Sequence, residues 1–448
     1  MAASNSLDVL SDEHDEYIET TNQSVPLAFS MARVLLAAAL LAAPLAFGAV
    51  NSWAWMCLSL VAASLLFLWA LGSVQQKSLK FFWSPLYIPL ALFLILGMLQ
   101  YGAGLELDKW ETRTALLFLA TNLTFFFLAA QFFGEWSLET RSRYGWAVLL
   151  FVGGLGLFSV LQFASGAQKI YWIFDAGGRS FFGPYRNPDH YAGLMEMLVP
   201  VGAFYLAERR RFGTDLILPI LAATIGVTSL LLSGSRGGLL ALFAEMLIAI
   251  VIGWGRRSVR VRQSRGRLRF AVPALAVPLA ALLLFAWVDT GYVAKRFGAV
   301  ASPADAWTEW SSFRKSVTLD ALRMLRDHPF LGVGLGNFET VYPQYQSFPT
   351  DLTVDYVHND YAQAMAETGL VGTVLMISAL LLFFRLSFRQ VGERLRVGGN
   401  WIQLGAAVGC CGLLVHSFFD FNLHIPANAA WFAVLAAIAT SDARPLSA

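Results

Sequence analysis

Charged residues are scarce in this chain, and their scarcity decides its class. Only 14% of the 448 residues are Asp, Glu, Lys or Arg, whereas 57% are hydrophobic and the mean hydropathy is +0.57. In a soluble domain about a quarter of the residues are charged, so this composition excludes an ordinary soluble domain. Apolar runs recur from Val25 to Thr440, and many could cross the roughly 30 Å of hydrocarbon in a bilayer. The sequence therefore predicts an all-α, polytopic integral membrane protein.

Cysteine is almost absent, and the residues that occur form no pattern. Cys57, Cys410 and Cys411 lie in apolar segments, where they offer neither a disulfide framework nor the spacing of a zinc site. The basic and short apolar regions of a cleavable signal peptide are missing too, because the N-terminus is acidic and polar. We therefore expect a disordered acidic tail at 1–24 and a transmembrane domain at 25–448, without an internal repeat or a separate soluble domain.

Apolar segments of helical length predict about twelve transmembrane helices. We expect these helices at 26–48, 54–73, 84–104, 113–133, 145–166, 190–208, 215–234, 236–254, 270–288, 363–385, 401–421 and 427–440. The only sizeable segment outside the membrane is the connection between the ninth and tenth helices, 289–361. Connections of that length inside a compact protein are usually functional.

Basic residues set the orientation of these helices. The connection RRSVRVRQSRGRLR at 256–269 has seven arginines and no acidic residue, and Lys and Arg also concentrate in the other connections on its side. Because short loops rich in Lys and Arg stay in the cytoplasm, we expect this side and both termini to be cytoplasmic. The connections at 167–189 and 289–361 then face the opposite compartment.

The 289–361 connection has two features of its own. Apolar residues at helical spacing in SSFRKSVTLDALRMLRDHP (311–329) predict an amphipathic helix, which we expect on the membrane surface. The segment HPFLGVGLGNF (328–338) is rich in glycine, but its spacing is not that of a dinucleotide fingerprint. We interpret this glycine-rich loop as a tight loop and leave a re-entrant path open.

Polar residues gather at the predicted starts of three helices, all on the side opposite the arginine-rich connection. The three clusters are GPYRNPDHYAG (183–193), SGSRGG (233–238) and VHNDY (357–361). Asn, Asp and Ser side chains accept hydrogen bonds from unpaired N–H groups at helix starts, so the plainest interpretation is capping. The candidate caps are Asn187, Ser233 or Ser235, and Asn359 or Asp360. Capping does not explain the basic side chains of the same clusters.

These basic side chains predict a phosphate site. A helix N-terminus carries about half a positive charge, and Arg186, Arg236 and the ring of His358 would add donors to it. Gly237 and Gly238 would let the backbone approach a ligand. Each arginine could instead be an interface anchor, and each histidine a structural hydrogen-bonding partner. Ionisable groups at membrane depth are costly, however, and their clustering on one face favours a phosphate or pyrophosphate site.

The end of the eleventh predicted helix carries a further group of polar residues. The stretch HSFFDFNLHIPANA (416–429) contains His416, Asp420, Asn422 and His424. So many polar side chains at one helix end indicate a lined cavity rather than contact with lipid.

Together these stretches resemble the O-antigen ligase and polymerase superfamily. The motifs are GPYRNPDHYAG, LLSGSRGGLLAL, HPFLGVGLGNF, VHNDYAQAMAETGLVG and HSFFDFNLHIPANA, with FGAVNSWAW (47–55) in support. The resemblance implies a glycosyltransferase of the bacterial inner membrane that acts at the periplasmic face on a glycan carried by undecaprenyl pyrophosphate. It makes 25–448 an O-antigen-ligase-like domain and 289–361 its periplasmic loop.

The resemblance also implies roles for single residues. Arg186 and Arg236 match arginines that hold the pyrophosphate, and His358 matches the candidate catalytic base. The residues that could support these three or line the cavity are His190, Asn359, Asp360, Tyr361, Arg314, Arg323, His416 and Asp420. An acceptor hydroxyl would attack the anomeric carbon while undecaprenyl pyrophosphate leaves.

This chemistry has two requirements. Arginines and helix N-termini can stabilise the charge on a leaving diphosphate without a metal, and a histidine is suited to act as a base near neutral pH. An acidic pair for metal binding is not evident, and Glu106 and Asp108 are the nearest candidates. We therefore expect a metal-independent, inverting transfer with no cofactor.

The sequence leaves the acceptor open. A ligase would transfer the glycan to lipid A–core, whereas a polymerase would extend one O-antigen or exopolysaccharide chain with another; neither needs nucleic acid. A transporter or flippase is a further alternative, but such proteins place ionisable groups near the bilayer midplane and often have related halves. A non-catalytic scaffold would not require Arg and His at three helix starts.

Overall fold

The computed structural model describes residues 25–134, 138–177, 180–208, 216–255, 285, 306–351, 353–389 and 401–441. The main helices are α1 (Leu27–Leu45), α2 (Ser52–Gln75), α3 (Tyr87–Ala103), α4 (Lys109–Gly134), α5 (Leu138–Ala164), α6 (Pro188–Glu208), α7 (Ile217–Ser233), α8 (Arg236–Gly255), α9 (Ala306–Asp327), α10 (Asp360–Phe388), α11 (Trp401–His416) and α12 (Pro426–Thr440). The described residues form two isolated β-bridges and no strand. The all-α fold class is confirmed for this part of the chain.

Each predicted span that falls on described residues overlaps one of these helices. The predicted ninth span, 270–288, lies outside the described residues except for Phe285. The acidic tail at 1–24 and the arginine-rich connection at 256–269 also lie outside them. The number of twelve transmembrane helices therefore stays a prediction.

Several described helices are suited to a bilayer by length and composition. Helices α1, α2, α4, α5 and α10 are long and apolar enough to cross one, and α3, α7, α11 and α12 are shorter apolar helices. With the composition, these helices identify an integral membrane protein.

Helix α11 lies at the centre of the bundle. Every residue from Trp401 to Leu414 is buried, and the helix packs against α6, α8 and α12. Small residues permit this close approach, because a Cβ atom at Gly409 would collide with the carbonyl oxygen of Met197 in α6. The polar residues that follow α11 are therefore held by an enclosed helix.

The described part of the long connection is folded rather than open. Helix α9 buries Val317, Ala321 and Met324 in a small core of its own, together with apolar residues of 333–366. The amphipathic helix predicted at 311–329 is confirmed. Its buried apolar residues pack on protein, and its position on the membrane surface stays a prediction.

The glycine-rich loop breaks helix α10 near its start. Gly369 has φ 64° and ψ −161° inside the helix. Backbone of the loop replaces the lost helical bonds, because Leu370 N–H donates to Pro329 at 2.7 Å and Val333 N–H donates to Ala366 at 3.0 Å. The tight loop is thus confirmed, and the protein itself satisfies the irregular backbone, as a membrane requires.

Candidate active site

Three helix starts carry side-chain caps, as the sequence predicted. Asn187 caps α6 and Ser235 caps α8, each by accepting a backbone N–H, at 2.9 and 3.1 Å. Asn359 caps α10 by accepting two backbone N–H groups, at 3.1 and 3.0 Å. The caps account for these polar residues but not for the Arg and His residues beside them.

Two crossed His–Asp pairs join the start of α10 to the segment after α11. His358 Nδ1–H donates to Asp420 Oδ1 at 3.1 Å, and His424 Nδ1–H donates to Asp360 Oδ1 at 2.8 Å. The VHNDY and HSFFDFNLH stretches each contribute one histidine and one aspartate. The two stretches are therefore fixed against each other by charged hydrogen bonds.

His358 occupies a strained turn. Its φ of 56° lies in the left-handed region that residues other than glycine rarely adopt. The side chain is 17% exposed, and its ring meets the rings of Phe421 and Phe313 edge-on, with 4.9 and 6.3 Å between centroids. Backbone strain that holds a side chain in one orientation is concentrated at functional sites.

Asp420 is fully buried between two histidines. Its Oδ1 also accepts the Phe421 N–H at 2.9 Å, and His190 Nε2 lies 3.8 Å from its Oδ2. The described residues donate no hydrogen bond to Oδ2. Burial alone would raise the pKa of Asp420, but the hydrogen bond from His358 and the nearby cations outweigh it and hold this pKa well below its usual range. Asp420 is therefore a buried anion.

Asp360 is also buried, but both of its oxygens are occupied. Its Oδ2 accepts the Ser417 hydroxyl at 2.8 Å and the Leu423 N–H at 3.2 Å, while Oδ1 accepts from His424. Burial lowers the pKa of His424, yet the hydrogen bond to Asp360 and the charge of Glu367 outweigh this effect and raise it.

Both histidines line one large cavity of about 1470 Å³. Its polar end lies at the starts of α6, α10 and α12, where His190 is also part of the wall. Its apolar end lies deeper in the bundle, between α3, α4, α10 and α12, and the side chains there include Leu90, Phe93, Leu119, Leu123, Met376 and Leu380. The cavity can therefore hold a ligand that has both a polar and an apolar part.

The polar end is also lined by two arginines. Arg314 in α9 donates to the Phe419 carbonyl oxygen at 2.6 Å and lies 3.5 Å from Asp189 Oδ2. Arg186 lies over the ring of Phe47 at 5.7 Å from the ring centroid, and its side chain is exposed to the cavity. Two arginines with fixed partners thus face the same space as the histidine.

The polar end also has an acidic side. Its carboxylates are Glu111, Glu339, Asp355 and Glu367. Burial, together with the charges of Asp355 and Glu111, raises the pKa of Glu339 above its usual value.

An aromatic pair lies between the two histidines. The rings of Tyr356 and Phe421 are stacked at 4.2 Å. Phe421 contacts His358, and Tyr356 contacts His424 at 5.2 Å between ring centroids. The His358 and His424 sides of the cavity are therefore separated by this stack.

Two residues predicted for the site are not among the described residues that line the cavity. Arg236 begins α8, and the next residue, Gly237, packs against the ring of His416 rather than leaving room for a ligand. His416 is itself buried, and its Nδ1–H donates to Glu196 at 3.0 Å. Neither Arg236 nor His416 lines the cavity among the described residues. Contact between Arg236 and a pyrophosphate stays a prediction.

Two further predicted residues have contacts of their own. Arg323 donates to Asp320 at 2.8 Å on α9 and does not line the described cavity. Tyr361 lines the cavity, donates its hydroxyl to the Leu414 carbonyl at 2.6 Å and packs on Phe418 at 4.4 Å. Tyr361 thus holds the start of α10 against α11.

Potential metal ligands also come together beside the site. One atom each of Asp189, His416 and Asp420 lie within 4.8 Å of one another. This group was not predicted from the sequence, where only neighbouring acids were considered. Asp189 lies in α6, His416 is the last residue of α11, and Asp420 follows α11. Arg314 lies beside Asp189 and His190 lies beside Asp420, so cationic or protonatable side chains already compensate these carboxylates.

Sequence reasoning missed Asp189, Glu196 and the pairing of His424 with Asp360. A signal existed for Glu196, because a glutamate inside an apolar helix is costly and usually has a partner. No local pattern could have shown that each histidine pairs with the aspartate of the other stretch.

Comparisons with known proteins agree on one family. Residues 221–377 match the family described as O-antigen ligase. A curated protein described as O-antigen ligase, from Pseudomonas aeruginosa, is 23% identical over 252 residues. The family match covers about a third of the chain, and both comparisons show similarity to the O-antigen ligase superfamily.

The alignment with the Pseudomonas O-antigen ligase covers 56% of this chain and 55% of that protein, so the chain matches about half the length of this curated relative. The O-antigen ligase family match includes Arg314 and His358, whereas Arg186 and Asp420 lie outside it. The resemblance stated from the motifs is confirmed, and the superfamily suggests an enzyme of the glycosyltransferase type.

Proposed function

We propose that this protein transfers a glycan from undecaprenyl pyrophosphate to an acceptor hydroxyl. The acceptor is lipid A–core if the protein is a ligase and a second glycan in the polymerase alternative. The observation that carries the proposal is the pairing of His358 with Asp420, because His358 lines a cavity that Arg186 and Arg314 also line.

In this proposal His358 is the general base. Its Nδ1–H is engaged with Asp420, so Nε2 is the atom that would accept the proton of the acceptor hydroxyl. The buried Asp420 anion would fix the tautomer of the ring and stabilise the imidazolium that forms, as the aspartate of a catalytic triad does.

The bond changes balance without another reactant. The acceptor oxygen forms a bond to the anomeric carbon, its proton moves to His358, and the bond from that carbon to the pyrophosphate oxygen breaks with its electron pair. A single displacement of this kind inverts the anomeric configuration. Asp420 is buried behind His358, which supports a single displacement rather than attack by this carboxylate on the sugar.

The two ends of the cavity suit the two parts of the donor. Arg186, Arg314 and the positive N-terminus of α6 would face the pyrophosphate and stabilise the charge that builds on it. The apolar end between α3, α4, α10 and α12 would take the start of the prenyl chain. Because fixed positive groups already face the leaving diphosphate, we propose that the transfer is independent of metal ions.

The orientation of the protein follows from the arginine-rich connection. We propose that both termini face the cytoplasm of a bacterium, that 25–448 is one transmembrane domain in the inner membrane, and that the cavity and the 289–361 connection face the periplasm.

The test uses purified protein in nanodiscs with an undecaprenyl-pyrophosphate-linked glycan and lipid A–core, in EDTA. Products are separated on gels and identified by mass spectrometry. We expect glycosylated lipid A–core from the wild type and none from His358→Gln. A parallel reaction without lipid A–core identifies a polymerase by longer glycans.

The outcomes separate the alternatives. A product that appears only after divalent metal is added would overturn metal independence and turn attention to Asp189, His416 and Asp420. Absence of both products with a matched donor, with or without metal, would reject glycosyl transfer and favour a transporter or flippase.

A further inference from the structure

A second His–Asp pair faces the cavity, and the proposed chemistry does not use it. Transfer to a hydroxyl requires one base, and His358 supplies it. His424 lines the same cavity, yet its Nδ1 is held by Asp360 in the same way that Asp420 holds His358.

His424 differs from a purely structural histidine. Its side chain is 30% exposed, whereas that of His416, which is buried against Glu196, is 1% exposed. With Nδ1 engaged by Asp360, Nε2 is the ring nitrogen that can meet a ligand, and the described residues form no hydrogen bond with it. The ring is therefore held firmly on one side and open on the other.

The aspartate behind His424 is fixed by neighbours of its own. Asp360 accepts from the Ser417 hydroxyl and the Leu423 N–H, so the carboxylate cannot rotate without losing both bonds. A ring anchored through such a carboxylate is pre-organised, and little conformational entropy is lost when it binds a ligand.

Charge indicates which ligand His424 would meet. Arg314 lies on the His358 side of the aromatic pair, where the neighbouring Phe313 contacts the His358 ring, while Glu367 lies close enough to His424 to raise its pKa. Glu339 and Asp355 line the same cavity. A pyrophosphate would be repelled from these carboxylates, whereas sugar hydroxyls could donate hydrogen bonds to them.

We infer that His424, held by Asp360, binds the acceptor glycan and thereby sets which acceptors are accepted. This inference rests on the proposed function and names the acceptor subsite within it. The ligand class is an uncharged, hydroxyl-rich sugar, which would lie against the Tyr356 side of the aromatic pair while the donor occupies the arginine side. His424 then touches the acceptor, and Asp360 is a positioning residue.

The test separates binding of the two substrates. Initial rates are measured for wild type, His424→Gln and His424→Asn while donor and acceptor concentrations are varied independently. We expect the KM for the acceptor to rise about tenfold, the loss of one good hydrogen bond, with the KM for the donor and kcat changed less than about threefold. His328→Gln, at an exposed histidine of the long connection, is the matched control and should leave all three constants unchanged.

A second measurement uses the wild type alone, so its result does not depend on whether the variants fold. Diethylpyrocarbonate modifies accessible imidazoles, and the extent at each histidine is read by peptide mass spectrometry. We expect saturating acceptor to protect His424, donor alone to leave it reactive, and His328 to react equally under every condition.

Failure of this inference can be distinguished from failure of the proposed function. If the wild type transfers glycan but acceptor does not protect His424, or if His424→Gln folds and keeps its acceptor KM, the inference is wrong while the proposed function stands. If the wild type transfers nothing to any acceptor, the proposed function fails first. Equal increases in the KM for donor and acceptor would show a structural role and would also overturn the inference.

Discussion

The two His–Asp pairs use the same side chains, but their carboxylates are bonded differently. Asp360 accepts from a hydroxyl, a backbone N–H and a histidine, so each oxygen has a partner. Asp420 uses Oδ1 for His358 and for Phe421 N–H, while Oδ2 accepts nothing from the described residues. Leaving a buried carboxylate oxygen unbonded costs on the order of 1–3 kcal/mol or more.

This difference suggests that Asp360 and Asp420 have different roles. A fully bonded carboxylate holds its partner in place, and Asp360 does so for His424 and for the start of α10. An under-bonded anion keeps a stronger field on its histidine, because fewer donors share its charge. The unbonded oxygen of Asp420 costs stability. We expect such a cost where the anion must stabilise a histidine that gains a proton during the reaction. Substitutions in each pair, and at Arg314 and Arg323, test whether the two aspartates differ in this way.

The largest effect is expected at His358. His358→Gln keeps a hydrogen-bonding side chain near Asp420 but removes the base, so kcat should fall by about 10²–10⁴-fold. Transfer is measured with saturating donor and acceptor, and binding of the donor is measured separately. His328→Gln is the control. A variant that folds and retains more than about a tenth of the wild-type kcat would show that His358 is not the base.

The second largest effect is expected at Asp420. Asp420→Asn keeps the volume of the side chain but removes the anion that fixes the tautomer of His358, so kcat should fall by about 10²-fold or more while the KM for both substrates changes little. The matched variant is Asp360→Asn, which should act on the acceptor KM and on thermal stability instead. If the two variants showed the same kinetic pattern, the distinction between the pairs would be wrong.

Local features of this site could be predicted from the sequence, and long-range features could not. The caps Asn187 and Asn359 were predicted because capping depends on residues within one helical turn. The exchange of partners between His358 and His424 depends on contacts more than 60 positions apart in the chain. The break at Gly369 was missed for the same reason, since its cause is backbone of the glycine-rich loop.

Helix α9 also shows that local sequence does not predict long-range contacts. Arg314 and Arg323 were both predicted as supporting residues, but they are nine residues apart. At about 100° per residue, this separation places two side chains on opposite faces of a helix. Only the packing of α9 against 333–366 decides which face meets the cavity, and the structure assigns that face to Arg314.

A moderate effect is expected at Arg314. Arg314→Lys keeps the positive charge but loses the planar fork that reaches both the Phe419 carbonyl oxygen and Asp189. We expect the KM for the donor to rise about tenfold, the equivalent of one charge-assisted hydrogen bond of at least about 1.4 kcal/mol. The acceptor KM should stay constant. A rise confined to the acceptor KM would contradict the assignment of the arginine side to the donor.

The smallest effect is expected at Arg323, which completes the comparison between the two arginines of α9. Its side chain is 49% exposed and bonds Asp320, which also accepts from the Tyr342 hydroxyl at 3.2 Å and from Ser347. Because Asp320 keeps these other donors, Arg323→Ala should cost about 1 kcal/mol of stability or less. Transfer rates should stay within about twofold of the wild type. If the variant kept wild-type thermal stability but lost much of its donor binding, Arg323 would also contact the donor. The two arginines of α9 would then have the same role.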